Sequence, residues 1–402
     1  MDIGNDRKNF FHLAGSGAAI IAVTYGLCRY SYGLFLPDIQ HTFGLNVEWL
    51  GIIGSSSYLG YLIASLLTGI FTKKFGPKIP LIISGVTAVT GSLLIALSFN
   101  SFVLFAGVCI AGMSPAFSFP PLTEYVTMRL KGNRKNKAIA IINSGTSYGI
   151  ILAAPFVLLL GFDWRAAWFI FAIIAACVLV WNYRMTTIKS PYCVTDKGKN
   201  CKVEVFKYDI RLNKLFISML LSGIVFAAFW TYSVDYIDLS SSINILGFSV
   251  KSALFSEIFW LVMGASGLLS VYAYTAIKHF GLRKSLQYSL ITVAVSTLIL
   301  AIFHSNGILL LISGFMFGIA FQMFTAFSVI WGIRILKDSA SLITCLVLIA
   351  MAIGLLVGPI VYAPIINCYS ISSMFYIAGV LGILISFIKP SQNLNVEVNY
   401  EC

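Results

Sequence analysis

Four ionisable side chains, Arg29, Glu124, Asp235 and Glu257, stand inside long apolar runs of this 402-residue chain. A charge in hydrocarbon is costly, about 2.5–3.5 kcal/mol for a central Arg on insertion scales, so such residues face a bundle interior or a water-filled cavity. Tyr25, Arg29 and Tyr32 are spaced i, i+4 and i+7, which on a regular helix places them on one face. A guanidinium flanked by phenolic hydroxyls is suited to gripping a carboxylate or phosphate through two parallel hydrogen bonds. The competing reading is a permanent ion pair with an acid from another helix.

The acids divide in the same way. Removal from water favours the protonated form of a carboxyl, which would let Glu257 carry a coupling proton or leave it an interfacial acid near Trp260. Asp235 is expected either to pair with Arg29 across the outer mouth or to snorkel from a helix end. Glu124 reads first as structural, with proton coupling or gating as its other role. Uncharged candidates for substrate contact are Asn143, Thr146 and Tyr148, the stretch Ser55 to Tyr58, Trp230, Trp331 and above all Gln322. Polar side chains in apolar spans otherwise serve helix packing, and the ring series Phe321, Phe324 and Phe327 is as consistent with filler as with a cavity wall.

What must position these residues follows from composition. The chain is 58% apolar, 14% aromatic and 10% charged, too little charge to solvate a soluble protein of this length. Soluble enzymes, disordered scaffolds and disulfide-rich secreted domains are excluded. A bilayer core of about 30 Å takes about 20 apolar residues per helix. Apolar runs fall at about 13–36, 47–71, 79–99, 102–127, 138–160, 166–186, 213–236, 252–276, 286–304, 307–332, 340–363 and 373–388. Unalternating runs of this length are helices, since lipid satisfies no backbone polar group. The expectation is an all-α membrane protein of twelve transmembrane helices. Its first span is too long for a signal peptide and lacks a cleavage pattern, so it reads as retained.

Net charge is +12, and its placement is a topology signal. Twenty-four of the 27 bases lie at the termini or in loops after even-numbered spans; Arg165 and Lys251 lie on the other side and Arg29 within a span. The asymmetry implies cytoplasmic termini in the inner membrane of a bacterium. Nucleic acid is not needed to explain it. The eight cysteines have no metal-ligand spacing and read as apolar filler. No cofactor or metal is implied.

The polar stretch 187–212 divides a six-helix half, 1–186, from a second half, 213–390, followed by a tail, 391–402. At an offset of 205 residues, Lys73, Phe75, Gly76 and Lys78 face Lys278, Phe280, Gly281 and Arg283; Arg129 faces Arg334 and Gly149 faces Gly354. Two pseudo-symmetric halves are the economical account. Under the same offset Asp235 falls beside Arg29.

Twelve spans, the six-plus-six split and the turn Gly69-x-x-x-Lys73-Lys74-x-Gly76-x-Lys78 resemble the major facilitator superfamily (MFS), with Lys73 where that family's turn carries Asp. Gly145-x-x-x-Gly149 before Pro155 is similar to its antiporter glycine motif, with Gly354-x-x-x-Gly358-Pro359 a second instance. The segment from Lys135 to Gly145, followed by Asp163-Trp164-Arg165, resembles one branch of its permeases. The resemblance implies the MFS fold and secondary active transport of a small-molecule substrate by alternating access within the lipid bilayer, with the turn acting in conformational change. A monomer, with H+ as coupling ion and an organic anion or metabolite as cargo, is the leading expectation. Efflux of toxic compounds is the alternative, with a non-transporting membrane sensor or an enzyme behind it. P-loop and zinc-protease motifs are missing from the sequence.

Overall fold

The computed structural model describes residues 3–130, 132–159, 163–186, 210–240, 242–336, 340–388 and 390. The expected linker lies largely outside this set, as does the expected tail. Helix α1 is composite: Ile3–Ile21 is α-helical, Ala22–Tyr30 π-helical, Ser31–Phe35 3-10 and Leu36–Phe43 α-helical again. Then follow α2 (Val47–Phe75), α3 (Lys78–Ala96), α4 (Ser101–Arg129), α5 (Gly132–Leu159) and α6 (Trp164–Thr186). The second half contains α7 (Arg211–Asp238), α8 (Ser252–Gly267, continued by the 3-10 turn Leu268–Tyr272), α9 (Ala273–Ile302), α10 (Gly307–Ile335), α11 (Ala340–Cys368) and α12 (Ile371–Ile385).

Among the described residues ten helices are long and apolar enough to cross a membrane, and shorter apolar stretches at Ile141–Ala153 and Ile371–Ile385 complete the twelve. The end of the bundle bearing the α1–α2 and α11–α12 turns is called distal below, and the opposite end proximal. At the distal end, side-chain oxygens of Asn46, Asn100, Asn306 and Ser370 accept from the first-turn N–H groups of α2, α4, α10 and α12. Short polar connections thus double as N-caps and satisfy orphan donors where lipid meets water.

Two departures from the sequence expectation matter for the site. The first span does not stop at residue 36. It continues through Pro37, which sits in the first turn of Leu36–Phe43 where a missing N–H breaks no intrahelical bond, and so carries Asp38 within the span. Between α7 and α8 the chain forms an unforeseen hairpin, β1 (Ser242–Ile245) and β2 (Phe248–Lys251), turned by Leu246 and Gly247 at positive φ. Buried Ile243 and the Asn244 N–H, which donates to the Ser305 carbonyl at 3.4 Å, tie it to the α9–α10 turn.

The repeat is visible in the backbone. Gly76 has φ 75° and ψ 173°; Gly281, 205 residues on, has φ 74° and ψ 158° and breaks α9. That region of conformational space is essentially glycine's alone, at about 1–3 kcal/mol for other residues. Gly76→Ala and Gly281→Ala should each lower the thermal unfolding midpoint in detergent by an amount matching that cost. Equal midpoints for wild type and both variants would remove the strain argument.

A second correspondence resets the register of the first helix of each half. Gly26 of α1 meets Gly149 of α5, and Gly223 of α7 meets Gly354 of α11, each pair with backbone against backbone. Gly26 and Gly223 are 197 residues apart, not 205. In this register Asp235 is the counterpart of Asp38, and Arg29 that of Phe226. Asp235 is therefore not the mirror of Arg29.

Candidate functional site

Arg29 lies in the last turn of the π-helical segment of α1, near mid-depth and 5% exposed. Its guanidinium carbon lies 4.1 Å from the ring centroid of Tyr61, 5.0 Å from Tyr58, 5.6 Å from Tyr30 and 5.7 Å from Tyr25. Tyr58 and Tyr61 are i, i+3 on α2, one helix turn that presents both rings to α1. Each desolvated cation–π contact contributes about 2 kcal/mol. Rings accept no hydrogen bond in the plane of the guanidinium, and Arg29 Nε and Nη2 are buried without a partner. The expected Arg29–Asp235 ion pair is not formed among the described residues. Tyr25 is the half-exposed member of the cage and stands on the proximal side of Arg29; Tyr30, Tyr58 and Tyr61 are buried.

The expected face of Tyr25, Arg29 and Tyr32 is only partly right. A π-helix takes more residues per turn than an α-helix, and the 3-10 turn that follows takes fewer, so the i+7 relation fails. Tyr32 turns to α2, where its hydroxyl donates to the Leu50 carbonyl at 3.3 Å. Tyr30 takes its place in the cage. From Tyr30 an aromatic shelf crosses to the second half: its ring stacks on Trp230 at 4.2 Å and 22°, and Trp230 meets Trp260 at 5.7 Å and Phe321 at 5.3 Å. The indole N–H groups of Trp230 and Trp260 are also buried and unpartnered. Arginine and indole groups thus present donors with no acceptor, the complement of an acceptor-rich anion.

Other expected site residues lie elsewhere. Asn143 and Tyr148 are exposed, Tyr148 by 48%, because Gly145 and Gly149 claim the α1-facing side of α5 against Ala18 and Ala22. They do not join the cage. Gln322 is half-buried beside Gly267, one residue from Phe321, whose ring edge meets Tyr30. Glu124 is half-buried on α4 without an ion pair to Lys74, whose Nζ lies 5.2 Å from the Phe75 ring centroid. In the α2–α3 turn, Lys78 Nζ lies 4.9 Å from the Tyr183 ring, and space around Gly69 and Gly76 is open; only the backbone of Lys73 is described. Arg283 is half-buried just after Gly281.

Asp235 and Glu257 come together with acids the sequence reading passed over. Asp235 is close enough to Asp238 and Tyr32 for their charges to interact, and Glu257 stands in the same relation to Asp38. Asp38 was hidden by the assumed end of the first span, and Asp238 by its place at a helix end. Tyr58 was already among the uncharged candidates, and Tyr61 could have been found from its i, i+3 spacing to Tyr58 opposite a span-bound arginine. For the cage, Tyr61→Phe keeps the ring over Arg29 and should cost no more than about 1 kcal/mol. Tyr61→Ala should cost about 3–5 kcal/mol. Chemical unfolding of the two variants in detergent checks the contrast, and equal losses would deny the ring its role.

The halves meet through distal and mid-depth contacts. Gly33 abuts the Trp230 carbonyl, Gly51 the Pro359 carbonyl and Tyr232 hydroxyl, and the Asn367 amide donates to Glu48 at 3.0 Å. Toward the middle, Gly264 faces Ile150 and Ile151, and Gly267 faces Ser147. Further toward the proximal end, Val271 and Tyr272 of α8 are exposed.

Comparison with known proteins agrees with this architecture. The "Hexuronate transporter" of Bacillus subtilis (strain 168) is 22% identical over 285 residues, 68% of each chain. The "Probable sugar efflux transporter" of Helicobacter pylori (strain G27) is 21% identical over 356 residues, 88% of each. Among solved structures, that of the nucleoside transporter NupG superposes with a TM-score of 0.72 at 14% identity, covering 94% of this chain and 97% of that one. The profile of the Major Facilitator Superfamily matches residues 18–275. The chain is therefore a multi-pass membrane protein of a transporter family, and it belongs to the Major Facilitator Superfamily.

Proposed function

We propose that the protein is a secondary active transporter that carries a small organic anion across the cytoplasmic membrane by alternating access, coupled to movement of a cation. The observation that carries this reading is Arg29: a mid-depth guanidinium whose Nε and Nη2 lack partners, held by four aromatic rings. A substrate carboxylate would supply the missing acceptors, and the shelf from Tyr30 to Trp230 would take the body of the molecule. The half-exposed Tyr25 supports access to Arg29 from the proximal side while the distal contacts are closed.

Placement of the bases supports a cytoplasmic proximal end, with both termini and the linker on that side. The same reading divides the chain into halves 1–186 and 213–390 acting as a monomer. Glu257 and Asp235, with Glu124 at the other end, are the carboxyls available for proton coupling or gating. Gln322 and Trp230 are placed as substrate contacts, and the α2–α3 and α8–α9 turns as the conformational elements. Efflux of a neutral compound is the alternative, and it would use the shelf without Arg29.

The test is uptake into proteoliposomes of a panel of labelled organic acids, with their neutral amides as controls. Substrates confined to the acids, and driven by an imposed cation gradient, are the expected result. Transport of the amides equal to that of the acids would overturn the anion assignment.

A further inference from the structure

At the distal junction of α1, α7 and α8 lies a cavity of about 30 Å³ whose lining includes Pro37, Asp38, Asp238, Ser256 and Glu257. It has room for about two water-sized occupants. Glu257 is 1% exposed, yet neither carboxylate oxygen has a hydrogen-bond partner, and the buried hydroxyl of neighbouring Ser256 is unpartnered as well. Asp38 is half-buried and close enough to both Glu257 and Asp238 for their charges to interact. Asp238 is exposed, and its Oδ1 accepts from Ser252 Oγ at 2.8 Å. Exposure thus falls from Asp238 through Asp38 to Glu257, a funnel of one sign that draws cations inward. His41, within range of Asp38, and exposed Lys251 at the start of α8 are the basic groups nearby in the chain.

A buried carboxylate without donors is strongly unfavourable, and neighbours of like charge worsen it. A cation in the cavity relieves both. Among the described residues no three His, Cys, Asp or Glu side chains converge closely enough to hold a metal ion between them, whereas hard divalent ions gather several oxygen ligands at short range. A singly charged ion balances one carboxylate and takes its remaining contacts from neutral oxygens and water. Glu257 and Ser256 supply that pair.

We infer that this cavity binds a monovalent metal cation, with Glu257 and Ser256 as its inner contacts and with Asp38 and Asp238 attracting it from the distal side. Trp260 is one turn from Glu257 and rests on Trp230, which stacks on Tyr30 beside Arg29. Use of this ion to drive transport rests on the reading proposed above. Its binding does not.

The experiment uses the purified full chain with 22Na+ as probe, alongside thermal unfolding in NaCl against choline chloride at fixed pH and ionic strength. Saturable 22Na+ binding and a midpoint that rises with NaCl alone are expected. Glu257→Gln should weaken binding at least about tenfold. Asp238→Asn, at an exposed position that leaves folding intact, should weaken it about threefold. Asp163→Asn, at an exposed acid whose cap on α6 an Asn keeps, should leave it unchanged. No saturable binding, equal affinity in all variants, or a midpoint that answers to pH and not to Na+ would overturn the cation site, the last result replacing the ion by a proton. Intact 22Na+ binding in Arg29→Ala would separate this site from the fate of the anion reading.

Discussion

Arg29→Ala removes transport, lowering uptake of the organic acid at least about 100-fold, while the quantity of protein in the membrane stays the same. Truncating one partner of a buried, hydrogen-bonded charge pair costs about 2–5 kcal/mol, and each 1.4 kcal/mol is about tenfold in an equilibrium constant. Two unpartnered nitrogens on one planar fork fall within that range once a carboxylate fills them. The fold should not suffer equally. Arg29 carries a desolvated charge with no ion pair among the described residues, so its loss removes a cost together with four ring contacts. Arg29→Lys keeps the charge but replaces the fork by a point cation, and its uptake should recover to no more than about a tenth of wild type. Uptake is read with the labelled acid in proteoliposomes and membrane amount by immunoblot. Normal uptake by Arg29→Ala would end the assignment of this residue to the substrate.

Twelve spans and two related halves were readable in the sequence because each rests on patterns that survive without tertiary detail: run length, loop charge and a repeated turn. The equivalence of Gly76 and Gly281 is an example, since both adopt the same positive-φ conformation. The site was less legible, for a specific reason. Reading Tyr25, Arg29 and Tyr32 as one face assumed 3.6 residues per turn, and α1 switches to π and then 3-10 geometry across those residues. The packing of α2 on α1 is what turns Tyr58, already a candidate, toward Arg29 and adds Tyr61 beside it. A constant offset between halves likewise paired Asp235 with Arg29. The glycine contacts of α1 with α5 and of α7 with α11 show a shorter offset there, and so pair Asp235 with Asp38. The small residues that made the halves recognisable also correct the register.

The distal closure offers the other large effect. Gly33 and Trp230, 197 residues apart, are counterparts that meet each other where the halves join. A β-carbon at position 33 would collide with the Trp230 main-chain oxygen and stand 3.6 Å from the Trp260 ring. A carbonyl oxygen within α7 cannot rotate aside, so α1 and α7 would have to separate. Gly33→Val should therefore hold the distal end apart and lower transport about 100-fold, as expected when closure becomes about 3 kcal/mol less favourable. Val234, now 3% exposed in the distal cavity, reports the opening. With Cys368→Ser removing an exposed distal thiol, Val234→Cys should react with an impermeant maleimide much faster in the Gly33→Val background than without it. Gly44→Ala is the control: its φ of 61° makes the substitution mildly strained, but nothing lies within 4 Å of the added carbon, so transport should stay within about twofold. If Gly33→Val transports normally and Val234→Cys stays protected, closure at Gly33 and Trp230 has no part in the cycle. Loss of transport with Val234→Cys still protected would instead place the damage in packing, because a jammed but closed distal end cannot expose that position.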